Sequence, residues 1–406
     1  MDYPQTYYRQ SLAETRARPA LFGRHETGTL IIGGGLAGLT TALELARAGQ
    51  SVTVIEAHQV GFGASGRNGG FVGPGYAAGD DTITRHAGTD GARRLWDLSV
   101  EGMEHIRQTI AALAMPGVAP VTGVLSVRRH DDPGLKSARD QMARELNYHL
   151  DYLPTEELRS LLRSRRYFQA LRDGNAFHIH PLNYLRGLAA EIERLGGTIF
   201  EQSPATEAHL AGPEKRVVSP GGEIRAERVV LTTGGYTDGL VPRLRRAMLP
   251  IATYVMLSEP APDRLAQVIA TRHAVGDNRR AGDYYRLVEN GSRLLWGGRI
   301  TTRAEKSGNG FKLSGAKSFV IHGGSADMIV VAARTSGGDE DAEGITLFAV
   351  PKDASGMSHD VVLLVDSSMA THTKFDAVEL DGDAVIGEID GGRAVLDAML
   401  LAGRVG

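Results

Sequence analysis

Residues 29–72 read TLIIGGGLAGLTTALELARAGQSVTVIEAHQVGFGASGRNGGFV. An apolar run reaches Gly33, and Gly33, Gly35 and Gly38 then follow in GxGxxG spacing as the chain enters 36–48, where apolar residues recur with helical period. A second apolar run at 51–55 ends at Glu56, eighteen residues beyond Gly38. Strand, glycine turn, helix and strand in this order predict a βαβ unit that holds a dinucleotide. Gly33 permits the tight turn, Gly35 lets a pyrophosphate approach the backbone, and Gly38 lets the helix lie close to the strand. The helix N-terminus then faces the phosphates. Glu56 stands where a carboxylate accepts hydrogen bonds from the adenosine ribose and repels a 2′-phosphate. NAD and FAD both satisfy these residues.

Composition narrows the ligand class. A chain of 406 residues with 42% apolar content can bury two or three cores. A net charge of −3 argues against nucleic acid and anionic membrane as partners, which want a concentrated basic face, and leaves a small molecule. The absence of cysteine removes disulfides, thiolate metal sites and a cysteine-linked flavin. The opening MDYPQTYYRQ has acid and aromatics where a secretory signal needs basic and apolar residues, so a cytoplasmic location is expected. The most apolar stretch, 29–46, is glycine-rich and contains Glu44, which argues against a membrane span.

Beyond the glycine turn, Trp96, Val100, Met103, Ile106, Ile110 and Leu113 recur at helical spacing and predict a core-facing stripe. Residues 181–195 predict a helix stopped by Gly196 and Gly197 before a strand at 198–201, and 284–299 a hairpin turning at Asn290-Gly291. Short β runs at 319–321, 328–333, 345–350, 361–365 and 377–380 predict a small barrel or sandwich. The expected fold class is therefore α/β and α+β: a Rossmann-like dinucleotide-binding domain with a β-rich substrate domain, then a small all-β barrel-like segment. A seam separates them. Residues 1–303 hold 35 Arg and 2 Lys against 32 acids, whereas 304–406 hold 3 Arg and 5 Lys against 16 acids. The charge changes sign there and arginine gives way to lysine, as when segments of different lineage or codon use are joined.

The run from Thr29 to Val72, with GASGRNGG as its discriminating part, resembles the D-amino-acid oxidase-like FAD oxidoreductases, closest to gamma-glutamylputrescine oxidase. The segments HIHPLNYLRGLA (178–189), AERVVLTTGGY (226–236) and YYRLVENGSRLLWGGRIT (284–301) match in family order, so the resemblance covers about 3–303. It implies FAD as cofactor, with Ser65, Gly66, Arg67, Asn68, Gly69 and Gly70 along its pyrophosphate and ring. Gly234 and Gly235 end a strand where missing side chains suit close packing against the cofactor. FAD-binding parts are expected at about 27–80 and 175–240, and substrate-side parts at about 81–174 and 245–303. Tyr254, Tyr284, Tyr285 and Arg286 fall in the region that lies over the flavin in that family. Arg286 is a candidate for clamping a substrate carboxylate bidentately. His178 and His180 sit two apart on an expected strand, so one is a candidate for facing the site; with no third ligand they form no metal centre. The implied reaction oxidises the C–N bond of a small amine or amino acid to an imine, then an aldehyde or keto acid. Oxygen is the expected acceptor and peroxide the product.

Residues 306–406 resemble the middle β domain of the acyl-CoA dehydrogenases, in GFKLSGAKSFVIHGGSADMIVVAART and FDAVELDGDAVIGEIDGG among other stretches. The positions of Phe319, Val320 and Ile321 lie near the flavin ring in that family. The flanks of that family, with its catalytic carboxylate, are not matched, which argues against acyl-CoA dehydrogenation. Nor does 304–406 match the C-terminal portion that follows the GGR strand in the amine oxidases. Two partial flavoproteins joined near 303 are therefore expected, as an amine oxidase or as a flavin-binding or inactive fusion. An unfilled sheet position with an exposed hydrophobic edge in the FAD domain, weak FAD retention and easy proteolysis between about 303 and 310 are the corollaries.

Overall fold

The computed structural model describes residues 3–237, 239–247, 254–277, 282–298, 302–321, 323–337, 343–363 and 369–396. The chain forms two compact units, Met1–Asn278 with Gly282–Gly298, and Arg279–Ala281 with Arg299–Gly406.

The first unit is built on the βαβ unit. Gly23–Ile32, the helix Leu36–Arg47 and Val52–Ile55 follow one another, and Gly23–Ile32 pairs in parallel with Val52–Ile55 on one side and Gly222–Leu231 on the other. Thr198–Phe200 extends the sheet in parallel beyond Val52–Ile55, and an antiparallel pair, Lys215–Ser219 and Glu207–His209, lies beyond Gly222–Leu231. Central strands of such a sheet are buried on both faces. Ile31 enters one core with Leu39, Leu43 and the helix Pro181–Arg194, while Leu30 and Ile32 enter the opposite core with Val217 and Ile224. Each such side chain contributes roughly 1.5–3 kcal/mol by leaving water. Met103 and Ile110, from the expected helical stripe, complete the first core. They lie on Asp80–Leu113, which kinks where Gly88 takes φ 71°.

The far edge of Gly222–Leu231 is paired only over its first half, from Gly222 to Ala226. Among the described residues no strand pairs with 227–231 on the side away from Gly23–Ile32, so an outer position is unfilled there, but the expected exposed hydrophobic edge is not what is found. Glu227 and Arg228 are exposed on it while Val229, Val230 and Leu231 are half-buried. Charged residues at an open edge discourage strand addition.

A second, eight-stranded sheet runs in the order Tyr254–Leu257, Arg293–Gly298, Tyr284–Val288, Ala274–Asp277, Val121–Arg128, Gln169–His178, Phe71–Val72, with Asp151–Leu153 also paired to Gln169–His178. The loop that leaves the dinucleotide unit thus feeds directly into this sheet at Phe71. Tyr284–Val288 lies three strands from Gln169–His178, yet Arg286 reaches His178 across the face, which requires a strongly curled sheet.

The second unit is an antiparallel-rich seven-stranded sheet, ordered Met357–Leu363, Met369–Leu380, Gly310–Ile321, Arg303–Ser307, Met328–Arg334, Ile345–Pro351, Val385–Ile386. Ile329, Val331 and Ala333 alternate into a core with Phe311, Leu313, Phe348, Phe375 and Val378. The sequence pattern located the apolar ends of several of these strands. The stretch 303–310, where easy cleavage is expected, forms a hairpin: Arg303–Ser307 pairs with Gly310–Ile321 as far as Ser307 and Gly310, and Gly308 at φ 58° makes the turn.

Candidate active site

The glycine turn is held by steric need. Gly33 adopts φ 115°, its N–H donates to the Ile55 carbonyl at 2.9 Å, and a Cβ on it would stand 2.9 Å from the Thr232 carbonyl oxygen. A Cβ on Gly38 would stand 2.0 Å from the Gly33 oxygen, so only glycine lets the helix sit on the turn. Gly35 caps the helix in extended conformation without a side chain. Its place is taken by the Ser65 hydroxyl, which accepts the Leu36 N–H at 3.1 Å. Glu56 accepts the Gly34 N–H at 2.8 Å and the His58 N–H at 2.9 Å. Burial holds its pKa above the ordinary carboxylate value, against the lowering effect of these bonds.

The loop from Gly63 to Gly70 is fixed from within by Asn68, whose amide donates to the Ala64 and Ser65 carbonyls and whose Oδ1 accepts the Gly70 N–H at 2.7 Å. Arg67 lies over the Phe62 ring. Glycine is required at 66, where a Cβ would stand 2.1 Å from the Gly61 carbonyl oxygen, and at 70, where one would stand 2.2 Å from that of Ile179. Ser65, Asn68 and Gly70 join Leu36, Phe71 and Tyr184 around a cavity of about 360 Å³, a size suited to part of a small-molecule ligand. A helix N-terminus, two carboxylate oxygens beside it and this glycine-lined loop fit the pyrophosphate, ribose and ring of a flavin dinucleotide.

Gly234 and Gly235 stand at the end of Gly222–Leu231, beside the glycine turn through the Thr232 hydroxyl, which lies 3.0 Å from the Gly33 oxygen. A Cβ on Gly234 would meet no atom within 4 Å, so its φ of 55°, rather than crowding by the protein, is what favours glycine there.

The structure separates the substrate-side candidates. Arg286 is 5% exposed, and its guanidinium donates to the Gly69 carbonyl (2.6 Å), the Ile179 carbonyl (3.0 Å), the Tyr8 hydroxyl (3.2 Å) and His178 Nδ1 (3.2 Å). It is therefore not a free fork for a substrate carboxylate, which corrects that expectation. Tyr285, one residue earlier on the strand, points to the opposite face, packs against the core around Leu125 and shares a hydrogen bond with Tyr167. Burial raises its pKa.

His180 is not on a strand: it is the N-cap of Pro181–Arg194, with Nδ1 accepting the Asn183 N–H at 3.1 Å and Nε2 3.0 Å from Ser11 Oγ. Ser11 Oγ itself donates to the Tyr7 carbonyl, so His180 Nε2 carries the proton. Both nitrogens are engaged, and burial lowers the pKa to about 4. His178 is likewise locked neutral at about 4 by burial, with Nε2 donating to the Arg272 carbonyl at 2.9 Å and Nδ1 accepting from Arg286. Tyr284, like Arg286, stands beside the loop, but through its ring rather than through hydrogen bonds. It is half-buried, edge-on to Phe71, and a Cβ on Gly69 would stand 2.8 Å from its ring. The backbone of Tyr254 pairs with Gly298, but its side chain lies outside the described residues.

Several organising residues had no local signal. Tyr8 donates to the Asn68 carbonyl at 2.5 Å. Buried Glu201 lies 3.7 Å from both Arg18 and Arg186 and accepts the Val60 N–H at 2.9 Å, tying the N-terminal segment to the dinucleotide unit. The aromatic cluster in MDYPQTYYRQ was the available clue to Tyr8. Among the described residues no group of three His, Cys, Asp or Glu is placed to hold a metal, and no helix is long and apolar enough to cross a membrane.

A βαβ unit with a glycine turn, joined to a curled sheet by a glycine loop, is the architecture of a dinucleotide-type oxidoreductase. The chain belongs to the FAD dependent oxidoreductase family, which matches residues 29–319. The acyl-CoA dehydrogenase middle domain matches residues 290–378, overlapping the end of the first match. A probable oxidoreductase OrdL of Haemophilus influenzae is 33% identical over 308 residues, 73% of this chain and 70% of that protein. Gamma-glutamylputrescine oxidoreductase of Escherichia coli is 36% identical over 275 residues, 66% of this chain and 64% of that protein. The chain thus spans slightly less than two thirds of the latter's length. A glycine oxidase structure from Geobacillus kaustophilus shares the fold at 18% identity and TM-score 0.51, over 70% of this chain and 75% of that one.

Proposed function

We propose that the chain holds FAD between the Gly33–Gly38 turn, Glu56 and the 65–70 loop, and oxidises a small amine or amino acid. The observation that carries this is the joining of Glu56 and Ser65 at one helix N-terminus, 2.8 Å from Gly34 and 3.1 Å from Leu36 respectively. FAD when bound supplies two-electron oxidation of a carbon–nitrogen bond, with oxygen as the expected acceptor and peroxide as product. Glu56 accepts ribose hydroxyls through the lone pairs its backbone donors leave free. The helix N-terminus faces the pyrophosphate, and the Ser65 hydroxyl yields Leu36 N–H to it. Tyr284, with its ring against Gly69, shapes the substrate side and excludes water there. The same family's gamma-glutamylputrescine oxidoreductase supports an amine substrate. We take 1–303 as the oxidoreductase region and 304–406 as the acyl-CoA dehydrogenase-like β segment.

A second reading, a flavin-binding chain without turnover, is favoured by one observation, the unpaired outer side of 227–231 beside Thr232. An optical spectrum of purified protein before and after anaerobic addition of an amine panel decides. Flavin bands that bleach with an amine support oxidation; bound flavin that no amine bleaches supports the second reading, and absence of flavin binding removes both.

A further inference from the structure

We propose that Arg286 and Tyr8 form a clamp that positions the 65–70 loop for its cofactor, and that the charge of Arg286 favours the reduced cofactor over the oxidised one. The proposal rests on the FAD reading above.

Two successive loop carbonyls are drawn to one side. The Tyr8 hydroxyl donates to Asn68 O at 2.5 Å, and Arg286 Nε donates to Gly69 O at 2.6 Å. Arg286 Nη2 donates to the Tyr8 oxygen at 3.2 Å, so the two side chains act as one unit, anchored on Ile179 O at 3.0 Å. With the Ala64 and Ser65 carbonyls bound by Asn68, all four oxygens are turned to protein donors. The backbone facing the ligand is therefore set by residues from the N-terminal segment and from a strand more than 200 positions away.

The charge is a separate matter. A neutral amide could satisfy two carbonyls, yet the structure places a guanidinium here, 5% exposed. Among the described residues no carboxylate lies within ion-pair distance of it. Its histidine partner cannot compensate, because His178 is held as the neutral acceptor. A buried cation without a counter-ion is costly unless an anion completes the site. Two-electron-reduced FAD carries more negative charge at neutral pH than oxidised FAD, and a fixed cation behind the loop stabilises it preferentially. Arg286 acts here through the loop as a positioning residue, and it contacts no substrate.

The test compares dissociation constants for oxidised FAD and, anaerobically, reduced FAD on the full chain and on Tyr8→Phe, Arg286→Lys and Arg286→Gln. Tyr8→Phe should weaken both forms alike by severalfold. Arg286→Gln should weaken the reduced form about tenfold more than the oxidised one, while Arg286→Lys, which keeps the charge but not the fork, should weaken both and leave their ratio within about twofold. An unchanged ratio in Arg286→Gln overturns the charge role. Wild-type affinity for both forms in Tyr8→Phe and Arg286→Lys overturns the clamp, and Tyr8→Phe keeps that test open should Arg286→Gln not fold. A wild-type chain that holds no FAD overturns the FAD reading and the clamp together; tight wild-type binding with insensitive variants removes the clamp alone.

Discussion

A Cβ on Gly38 would stand 2.0 Å from the carbonyl oxygen of Gly33, so the helix can rest on the turn only because residue 38 has no side chain. Gly38→Ala must lift the helix N-terminus from the turn. We expect a loss of about 1–3 kcal/mol in urea unfolding, the usual cost of forced overpacking, together with weaker FAD binding. An alanine variant with unchanged unfolding midpoint and unchanged FAD titration would show that the contact yields without cost.

Glu56 is the second test of the cradle. Glu56→Ala removes the acceptor of the Gly34 and His58 amides and of the expected ribose hydroxyls. A hydrogen bond to a charged group contributes about 1.5–3 kcal/mol, so FAD affinity should fall about ten- to a hundredfold while the fold persists. Equal affinity in a flavin titration takes Glu56 out of the site.

These two residues were legible from the sequence because their roles are local. A glycine at fixed spacing after an apolar strand and an acid at the end of the next strand carry their meaning in chain order. Side-chain direction also followed period 2 along Tyr284, Tyr285 and Arg286, but which face met the loop depended on the curl of an eight-stranded sheet. Arg286 therefore read as a substrate clamp although its donors are engaged with Gly69, Ile179, Tyr8 and His178. His180 read as a strand residue because the Pro181 helix start was not connected to a histidine N-cap. The Gly, Ser and Lys content of 303–310 marked it for cleavage but gave no sign of the hairpin pairing that organises it. Tyr8 and Glu201 gave no periodic signal, since their partners lie 60 and 141 positions away.

Glu201 anchors the N-terminal segment by charge. It stands 3.7 Å from Arg18 and from Arg186, and all three side chains are buried. Removing one partner of a buried ion pair leaves the others uncompensated at a cost of about 3–5 kcal/mol. Glu201→Gln should therefore lower the unfolding free energy measured in urea by that order. A change below about 1 kcal/mol would show that Glu14 and Glu193, which also bind these arginines, carry the network.

Stability should fall on mild acidification through His178 and His180. Their folded pKa values lie near 4, below the unfolded value near 6.5, so between these limits the unfolded chain binds more protons. Stability therefore rises with pH across that window and is lost as pH falls from about 6.5 towards 4. Urea midpoints measured across this range should slope more steeply for the wild type than for His180→Gln. Parallel slopes would mean that His180 titrates in the folded state as it does in the unfolded one.

Tyr284 closes the set of site residues, and its ring, rather than its hydroxyl, is what meets the loop. A Cβ on Gly69 would stand 2.8 Å from the ring and one on Gly297 would stand 1.9 Å from it, so two glycines are shaped around this side chain. Tyr284→Phe keeps the ring and should retain FAD affinity and amine turnover within about twofold. Tyr284→Ala removes a half-buried aromatic that packs edge-on against Phe71, and opens the loop to water. Substrate affinity should then fall about tenfold or more with a smaller loss of bound FAD, because the ring lies on the side of the loop assigned to substrate. Kinetics with the amine found to bleach the flavin separates the alternatives: loss of turnover in Tyr284→Phe would move the role to the hydroxyl, and wild-type kinetics in Tyr284→Ala would take Tyr284 out of the substrate side altogether.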